Sequence, residues 1–268
     1  MDSATQLFAL FGNPVSHSMG PVMHNLAFAE KNVNAVYLAF AVRGIEKAVA
    51  SIKSLGIQGV SVTIPFKEQV IPLLDRVDRL ALEAGAVNTI VNRDNRLIGY
   101  NTDCQGAVEP LKRIGRIAGK KVCILGAGGA ARAVAVGMQR EKGVLFITNR
   151  SEKRGRALAE QVKGEFVSLE QLGSLAPDMV INTTSLGMTP DVDTSPVGGD
   201  FFKKGMVVMD IVYNPLETKM LKEAKRRGCT TIDGVSMFVC QGAAQFELFT
   251  GLKAPVDIMR KTVLENLV

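Results

Sequence analysis

The sequence has few histidines and cysteines, the residues that form zinc sites and disulfide frameworks. Its only histidines are His17 and His24. The cysteines are scattered without paired spacing, at Cys104, Cys123, Cys229 and Cys240. We therefore expect no metal site, and reduced, mostly buried thiols.

Long apolar runs are also missing, and the first residues lack the charged-then-apolar pattern of a secretory signal. A membrane-spanning helix needs about 20 predominantly apolar residues. We expect a cytoplasmic protein with no membrane partner. A hydrophobic fraction of 47% in 268 residues is enough for the cores of one large or two medium domains.

Tryptophan is absent, and the net charge of +6 is spread along the chain. The basic clusters have no aromatic residues between them, so nucleic acid is not the expected partner. An anionic cofactor and an anionic substrate account for the excess charge more simply.

A glycine-rich segment, Lys121 to Arg132, organises the rest of the chain. It reads KVCILGAGGAAR: an apolar strand, a turn at Gly126, Gly128 and Gly129, and the start of a helix. Backbone N–H groups at a helix start bind pyrophosphate well, and glycines allow its close approach. Ala131 takes the third, small-residue position of the dinucleotide fingerprint.

The next predicted strand, Gly143 to Thr148, ends at Asn149, Arg150 and Ser151, with Arg154 nearby. A NAD site usually carries an acidic residue at this point. A guanidinium and a hydroxyl instead favour the 2′-phosphate of NADP. The alternative is a solvated basic helix turn in which Ser151 is only a cap.

Strands and helices alternate along the chain, which predicts an α/β fold with a largely parallel sheet. We expect Lys67 to begin a helical segment and a hairpin to turn at Arg93-Asp94-Asn95. A helix is predicted from Asp103 to Ile114. The basic connection Gly115 to Lys120 is the domain boundary that composition favours.

Several polar residues follow predicted strands, where open α/β sheets bind ligands. Ser16 and Ser18 precede a helix, so Ser18 either binds a carboxylate or caps that helix. Thr63 and Lys67 flank the end of the third strand, although a surface lysine is the commoner interpretation. The C-terminal helix repeats Met237, Gln241 and Gln245 at four-residue spacing, which indicates either a cleft wall or a semi-exposed face.

Asn88 stands in an apolar strand and must have a hydrogen-bond partner, either in the backbone or in a ligand. Asp103 follows the next strand. It is either a helix cap or a carboxylate facing Lys67.

Taken in order, these segments resemble the shikimate dehydrogenases. The matching motifs are GNPVSHS, SVTIPFKE, AGAVNT, YNTDCQG, GAGGAAR, NRSEKR, NTTSLGM, DIVYNPLET and DGVSMFVCQGAAQFELF. The resemblance covers essentially the whole chain. It implies an α/β fold of two domains, with residues 1–102 and 238–268 binding substrate, a Rossmann-like NADP-binding domain at 103–237, and the active site in the cleft between them.

The implied activity is the reversible NADPH-dependent reduction of 3-dehydroshikimate to shikimate, a step in aromatic amino acid biosynthesis, by a monomer or homodimer. Lys67 and Asp103 match the catalytic pair. The remaining substrate-binding positions, with Ser16 added, are Ser16, Ser18, Thr63, Asn88, Tyr213 and Gln241. The cofactor positions are Gly126, Ala127, Gly128, Gly129, Ala130, Asn149, Arg150, Ser151, Arg154, Ile211, Gly234 and Met237.

Two positions depart from the family pattern. Gly20 replaces the second serine of the usual Ser-x-Ser-Pro, which removes a carboxylate-binding hydroxyl, and Ser61 replaces a common asparagine. Because of Gly20, a quinate/shikimate dehydrogenase with broader substrate and cofactor use is an alternative. A catalytically silent sensing module is the alternative from another class, although the presence of both Lys67 and Asp103 argues against it.

Overall fold

Residues 1–267, described here in a computed structural model, divide into two units of α/β structure. One unit comprises Met1–Gln105 and Val239–Asn266, and the other is formed by Gly106–Phe238 with Leu267. Each unit is built on its own six-stranded sheet. The predicted α/β fold is confirmed.

The sheet of the first unit is mixed, with strand order β2-β1-β3-β5-β6-β4. Its strands are β1 (Gln6–Gly12), β2 (Ala35–Ala41), β3 (Gly59–Val62), β4 (Arg76–Val77), β5 (Thr89–Arg93) and β6 (Arg96–Tyr100). β1 runs parallel to β2 and β3, whereas β5 is antiparallel to β3 and β6. The predicted hairpin is therefore confirmed as β5 and β6.

Helices α1 (Gly20–Glu30), α2 (Ile45–Ser54) and α3 (Arg79–Ala84) belong to this unit, and helix α9 (Val256–Asn266) packs against α1. Helices α4 (Asp103–Ile114) and α8 (Gly234–Thr250) each cross the division between units. One apolar cluster joins Phe11 of β1, Ile52 of α2 and Val60 of β3, all nearly inaccessible to water. Burial of this kind stabilises by about 25 cal/mol per Å² of apolar surface.

The sheet of the second unit is entirely parallel, with order β12-β11-β10-β7-β8-β9. Its strands are β7 (Lys121–Leu125), β8 (Val144–Thr148), β9 (Glu165–Phe166), β10 (Met179–Asn182), β11 (Val207–Asp210) and β12 (Thr230–Ile232). Numbered within the unit, this is the doubly wound order 3-2-1-4-5-6 reversed, in which ligands bind where the order changes direction. That point lies between β7 and β10.

Three helices connect these strands: α5 (Gly129–Arg140), α6 (Glu152–Gln161) and α7 (Lys219–Arg226). Helix α7 starts at the N-cap Thr218, whose hydroxyl accepts from the Leu221 N–H, and Gly228 follows its end with φ of 79°. A left-handed residue after a helix is usually glycine, as predicted here. None of the described helices is both long and apolar enough to cross a membrane.

The expected helix beginning at Lys67 is wrong. The chain turns at Thr63, whose carbonyl accepts from the Phe66 N–H at 2.9 Å, and only the short 3₁₀ helix Ile71–Leu73 follows. Pro72 lies inside that turn and has no N–H to donate, which disfavours an α-helix through this segment. Phe66 and Val70 are buried in the core, and their burial stabilises the turn conformation of the segment after Thr63.

Two short strands were not predicted. β4 has two residues and β12 has three, and both lie at sheet edges. Segments this short carry too little hydrophobic periodicity to be recognised from sequence.

Candidate active site

Lys67 and Asp103 meet in the first unit. The Lys67 Nζ donates to Asp103 Oδ2 at 2.6 Å, and their side chains are 19% and 8% exposed. The turn after Thr63 directs Lys67 toward the start of α4. The Lys67 backbone carbonyl accepts a hydrogen bond from the Val87 N–H at 2.8 Å. Of the two interpretations left open for Asp103, the structure shows the carboxylate that faces Lys67.

Asn88 holds the other oxygen of Asp103. Its Nδ2 donates to Asp103 Oδ1 at 2.8 Å and to Thr102 Oγ1 at 2.9 Å. The Asn88 Oδ1 accepts from the Thr102 N–H at 2.8 Å and from the Thr89 hydroxyl at 2.8 Å. These bonds account for both hydrogens and both lone pairs of the amide. The hydrogen-bond partners that Asn88 was expected to have are therefore side chains and a backbone N–H of the same unit.

The two glutamines of α8 differ in environment. Gln241 is half-buried, and its Oε1 lies 3.5 Å from Asn88 Nδ2 and 3.4 Å from Thr102 Oγ1. Gln245 is only 3% exposed and bonds to Ser61, Asn88 and Thr89. For Gln245 the cleft-wall and semi-exposed interpretations are both wrong, because β3 and β5 cover it. Gln241 is the amide that remains accessible.

The serines before α1 lie at the surface of the same unit. Ser16 is exposed and Ser18 is half-buried. The Ser18 hydroxyl accepts from the Gly20 N–H at 3.2 Å, although the residue at the N-cap position is Met19, whose side chain makes no capping bond. The Ser18 hydroxyl therefore satisfies the first N–H of α1 although Ser18 is not the N-cap residue.

Gly20 is buried beside Ser18 and Tyr37, and a side chain there would be tightly packed. A Cβ at this position would lie 3.2 Å from Ser18 Oγ and 3.6 Å from the Tyr37 hydroxyl. Tyr37 is buried and stacks on His24 with ring centroids 4.5 Å apart. Burial raises the pKa of Tyr37, while a hydrogen bond with Ser61 opposes this rise. Ser61 therefore hydrogen-bonds to the Tyr37 hydroxyl, and a side chain at position 20 would lie beside the same hydroxyl, a relationship that the sequence did not reveal.

The glycine-rich loop of the second unit fits a bound phosphate. Helix α5 begins after the N-cap Gly128, which makes no side-chain cap, and a Cβ on Gly128 or Gly129 would meet nothing within 4 Å. Gly126 has φ of 119°, and a Cβ there would lie 2.5 Å from Thr183 Oγ1. An uncapped helix start with open space above it is suited to an anion. Ala127 and Ala130 complete the turn.

The tip of β8 carries the predicted basic residues. Asn149 Nδ2 donates to the Ser151 carbonyl at 2.9 Å, which shapes the turn. Arg150 and Arg154 are exposed, and Ser151 is the N-cap of α6 without a side-chain capping bond. The capping interpretation for Ser151 therefore lacks its hydrogen bond, and the hydroxyl and guanidinium groups are accessible to a ligand.

A buried carboxylate, Asp210, shapes the loops that follow β10 and β11. It accepts from Thr218 Oγ1 at 2.7 Å, Asn182 Nδ2 at 2.9 Å and the Val212 N–H at 3.0 Å. Burial raises the pKa of Asp210 to about 6, against the effect of these hydrogen bonds. Asp210 was not among the predicted site residues, although its place at the end of an apolar strand was a usable signal.

The remaining predicted residues of the second unit follow this carboxylate along the chain. Ile211 comes directly after it and Tyr213 follows Val212, and the Tyr213 ring centroid lies 5.0 Å from that of Phe238. Burial raises the pKa of the Tyr213 hydroxyl. Gly234 packs against the Val212 carbonyl, leaving no room for a side chain, and Met237 is buried.

The four cysteines are free thiols, with Cys104 and Cys123 buried. His17 is exposed, whereas His24 is buried among aromatic rings, and burial lowers its pKa to about 4. Among residues 1–267, no three His, Cys, Asp or Glu side chains are grouped as metal ligands.

Comparison with known proteins identifies the family. Three family models match along the chain: shikimate dehydrogenase substrate binding domain at residues 10–90, shikimate / quinate 5-dehydrogenase at 109–215, and shikimate 5'-dehydrogenase C-terminal domain at 234–264. The chain belongs to the shikimate dehydrogenase family. A shikimate dehydrogenase (NADP(+)) of Moorella thermoacetica is 48% identical over 279 aligned residues, covering 99% of this chain and 95% of the relative.

Solved structures of the shikimate dehydrogenase family share the whole fold. A shikimate dehydrogenase in complex with NADP⁺ matches with a TM-score of 0.97 and 39% identity, covering 100% of this chain and 98% of that chain. The enzyme of Thermus thermophilus in complex with NADP(H) and shikimate matches with a TM-score of 0.91 and 33% identity, covering 97% of this chain and 99% of that chain.

Proposed function

We propose that this protein is an NADP-dependent shikimate dehydrogenase, which reversibly reduces 3-dehydroshikimate to shikimate on the route to aromatic amino acids. The observation that carries the proposal is the Lys67–Asp103 pair, 2.6 Å apart and held by Asn88. A proton donor fixed in this way is what carbonyl reduction requires in addition to a hydride. Full-length relatives of the family support the same substrate and cofactor.

The second unit is proposed to bind the cofactor. The Gly126–Ala130 turn and the uncapped start of α5 would hold the pyrophosphate, while Asn149, Arg150, Ser151 and Arg154 would hold the 2′-phosphate. Ile211, Gly234 and Met237 are proposed to contact the nicotinamide end. NADPH supplies the hydride that reduces the substrate carbonyl. We propose residues 103–237 as this domain, with substrate bound by 1–102 and 238–268.

Lys67 is proposed to give a proton to the carbonyl oxygen during reduction and to remove it during oxidation. Its Nζ has two hydrogens beyond the one donated to Asp103, so it can reach the carboxylate and a substrate oxygen together. Asp103 orients the ammonium group and accepts a hydrogen bond from a ring hydroxyl. Because both side chains are mostly shielded from water, their interaction is stronger than that of an exposed pair.

The other substrate contacts are proposed on accessibility and chemistry. Ser16 and Ser18 would bind the carboxylate beside the first turn of α1, and Tyr213 would add a protonated hydroxyl. Thr63 and Gln241 are half-buried and can donate to ring hydroxyls. Asn88 lies next to these residues, because its amide nitrogen contacts Gln241 and Asp103.

The test compares purified wild-type protein with Lys67→Ala and Lys53→Ala. Wild type and Lys53→Ala should consume NADPH in the presence of 3-dehydroshikimate, whereas Lys67→Ala should lose about 10²- to 10⁴-fold in kcat. Lys53 is the matched control because it also bridges an aspartate, Asp75 at 2.9 Å, but on the surface. Full activity in Lys67→Ala, or none in wild type, would refute the proposal.

A second candidate is a dehydrogenase that accepts quinate as well as shikimate, as the name of the central family model allows. The observation that favours it is Gly20, which lacks the hydroxyl of the usual second serine beside Ser18 and Tyr37. Quinate carries one more hydroxyl next to its carboxylate than shikimate does. Exposed Arg150, with no acid at the tip of β8, favours NADP for either substrate.

A further inference from the structure

We propose that Thr89, held by Gln245, is a positioning residue for the Lys67–Asp103 pair. The inference deepens the proposed function and rests on it. It follows from a continuous set of buried hydrogen bonds that connects α8 and β5 to the carboxylate at the start of α4.

The orientation of the Asn88 amide is fixed by groups that can act in only one way. The Thr102 backbone N–H can only donate, so the atom it contacts must be the amide oxygen. The Asp103 carboxylate accepts, so the amide nitrogen faces it at 2.8 Å. A flipped Asn88 would place oxygen against oxygen at Asp103, which is repulsive.

Thr89 is the second group that fixes the Asn88 oxygen. Its hydroxyl donates its single hydrogen to Asn88 Oδ1 at 2.8 Å and accepts from Gln245 Nε2 at 3.0 Å. Thr89 has no exposed surface, so water cannot replace the hydroxyl. Without it, the Asn88 oxygen keeps the Thr102 N–H at 2.8 Å and the longer contact with the Thr102 hydroxyl at 3.3 Å, but loses the short bond on the β5 side.

Gln245 determines which way the Thr89 hydroxyl points. The Gln245 amide nitrogen also donates to the Asn88 backbone carbonyl at 3.2 Å, and its Oε1 accepts from the Ser61 hydroxyl at 2.9 Å. Because the nitrogen occupies the acceptor side of the Thr89 oxygen, the Thr89 hydrogen is directed to Asn88. All of these side chains are at most 5% exposed.

The predicted consequence is a loss of geometry at Asp103 and therefore at Lys67. General acid–base catalysis contributes about 10²- to 10⁴-fold, and its efficiency depends on alignment of the proton donor. Partial misalignment should cost a fraction of this amount, about tenfold in kcat. The KM for NADP should stay within about twofold, since Thr89 and Gln245 lie in the unit proposed to bind substrate.

The experiment compares Thr89→Val, which keeps side-chain volume and removes the hydroxyl, with Thr89→Ser, which keeps the hydroxyl and removes a methyl group. Thr262→Val in α9 is the control for replacing another buried threonine of the same unit. The rate of shikimate oxidation is measured per NADPH-binding site, below the unfolding temperature of every variant. We expect kcat to fall about tenfold in Thr89→Val and less than about threefold in Thr89→Ser and Thr262→Val.

Two results would overturn the inference while leaving the proposed function intact. In one, Thr89→Val matches Thr262→Val in kcat. In the other, Thr89→Ser falls as far as Thr89→Val, which would mean that packing and not the hydroxyl is responsible. Absence of turnover in wild type would refute both the proposed function and the inference.

Discussion

Lys67 and Asp103 form the most protected lysine–aspartate contact among the ion pairs described, with 2.6 Å between Nζ and Oδ2. The Lys53–Asp75 pair has the same chemistry at 2.9 Å, but its side chains are 41% and 43% exposed. Exposed pairs of this kind contribute about 0–1 kcal/mol. The protected pair carries the larger desolvation cost, which a catalytic role would explain.

Asp103→Asn should lower kcat by about a hundredfold while the protein remains folded. The replacement keeps an oxygen that can accept from Asn88, but it removes the negative charge that orients the Lys67 ammonium. Steady-state kinetics with saturating shikimate and NADP measure the effect. Asp75→Asn is the matched control and should retain activity within about twofold; equal activity in the two variants would contradict the role of Asp103.

Gly20→Ser should lower the KM for shikimate. The added hydroxyl supplies a carboxylate donor worth about 1 kcal/mol, which corresponds to about a fivefold change. A Cβ would lie 3.2 Å from Ser18 Oγ and 3.5 Å from Tyr37 Cε1, so the Ser18 hydroxyl must move by a few tenths of an ångström. The KM for NADP serves as the internal control. An unchanged or higher KM for shikimate would show that this position does not bind the carboxylate.

Arg150→Ala should raise the KM for NADP by about tenfold and leave the weaker use of NAD nearly unchanged. A charge-assisted contact to phosphate contributes about 1.5–3 kcal/mol, and NAD lacks the 2′-phosphate. Arg226→Ala, an exposed arginine of α7 in the same unit, controls for loss of surface charge. If both cofactors lose equally, Arg150 does not recognise the 2′-phosphate.

Asp210 should make the second unit less stable as the pH rises. Burial raises its pKa to about 6 from an ordinary value of 3.8, so the folded protein binds this proton more tightly than the unfolded chain. That contribution is complete below about pH 4 and is lost as the pH passes through about 6.

Between about pH 5 and pH 8, wild type should lose about 1 kcal/mol of unfolding free energy more than Asp210→Asn, measured by urea unfolding. The variant can still accept from Asn182 and Val212 and can donate to the Thr218 oxygen. A parallel pH dependence in the two proteins would exclude Asp210 as its source.

The sequence predicted elements where one signal dominates. The bounds of strand β7 and the start of α4 at Asp103 were predicted to within a residue or two, because hydrophobic periodicity and turn residues indicate the same bounds. The supposed helix at Lys67 failed because burial of Phe66 and Val70 and the presence of Pro72 outweigh local propensity.

Contacts between side chains distant in sequence were harder to predict. Asn88 was known to need a partner, but the identity of Thr89, Thr102 and Asp103 as partners depends on how β5, β6 and α4 fold together. Gln245 shows the same limit, because its four-residue spacing from Gln241 gives a shared face but not the depth of burial.

The most direct measurement is the initial rate of NADPH formation by purified protein with shikimate and NADP, beside quinate with NADP and each substrate with NAD at equal concentrations. The account predicts clear turnover of shikimate with NADP and much slower rates with NAD. No turnover with any of the four pairs would contradict it and would favour a ligand-sensing module.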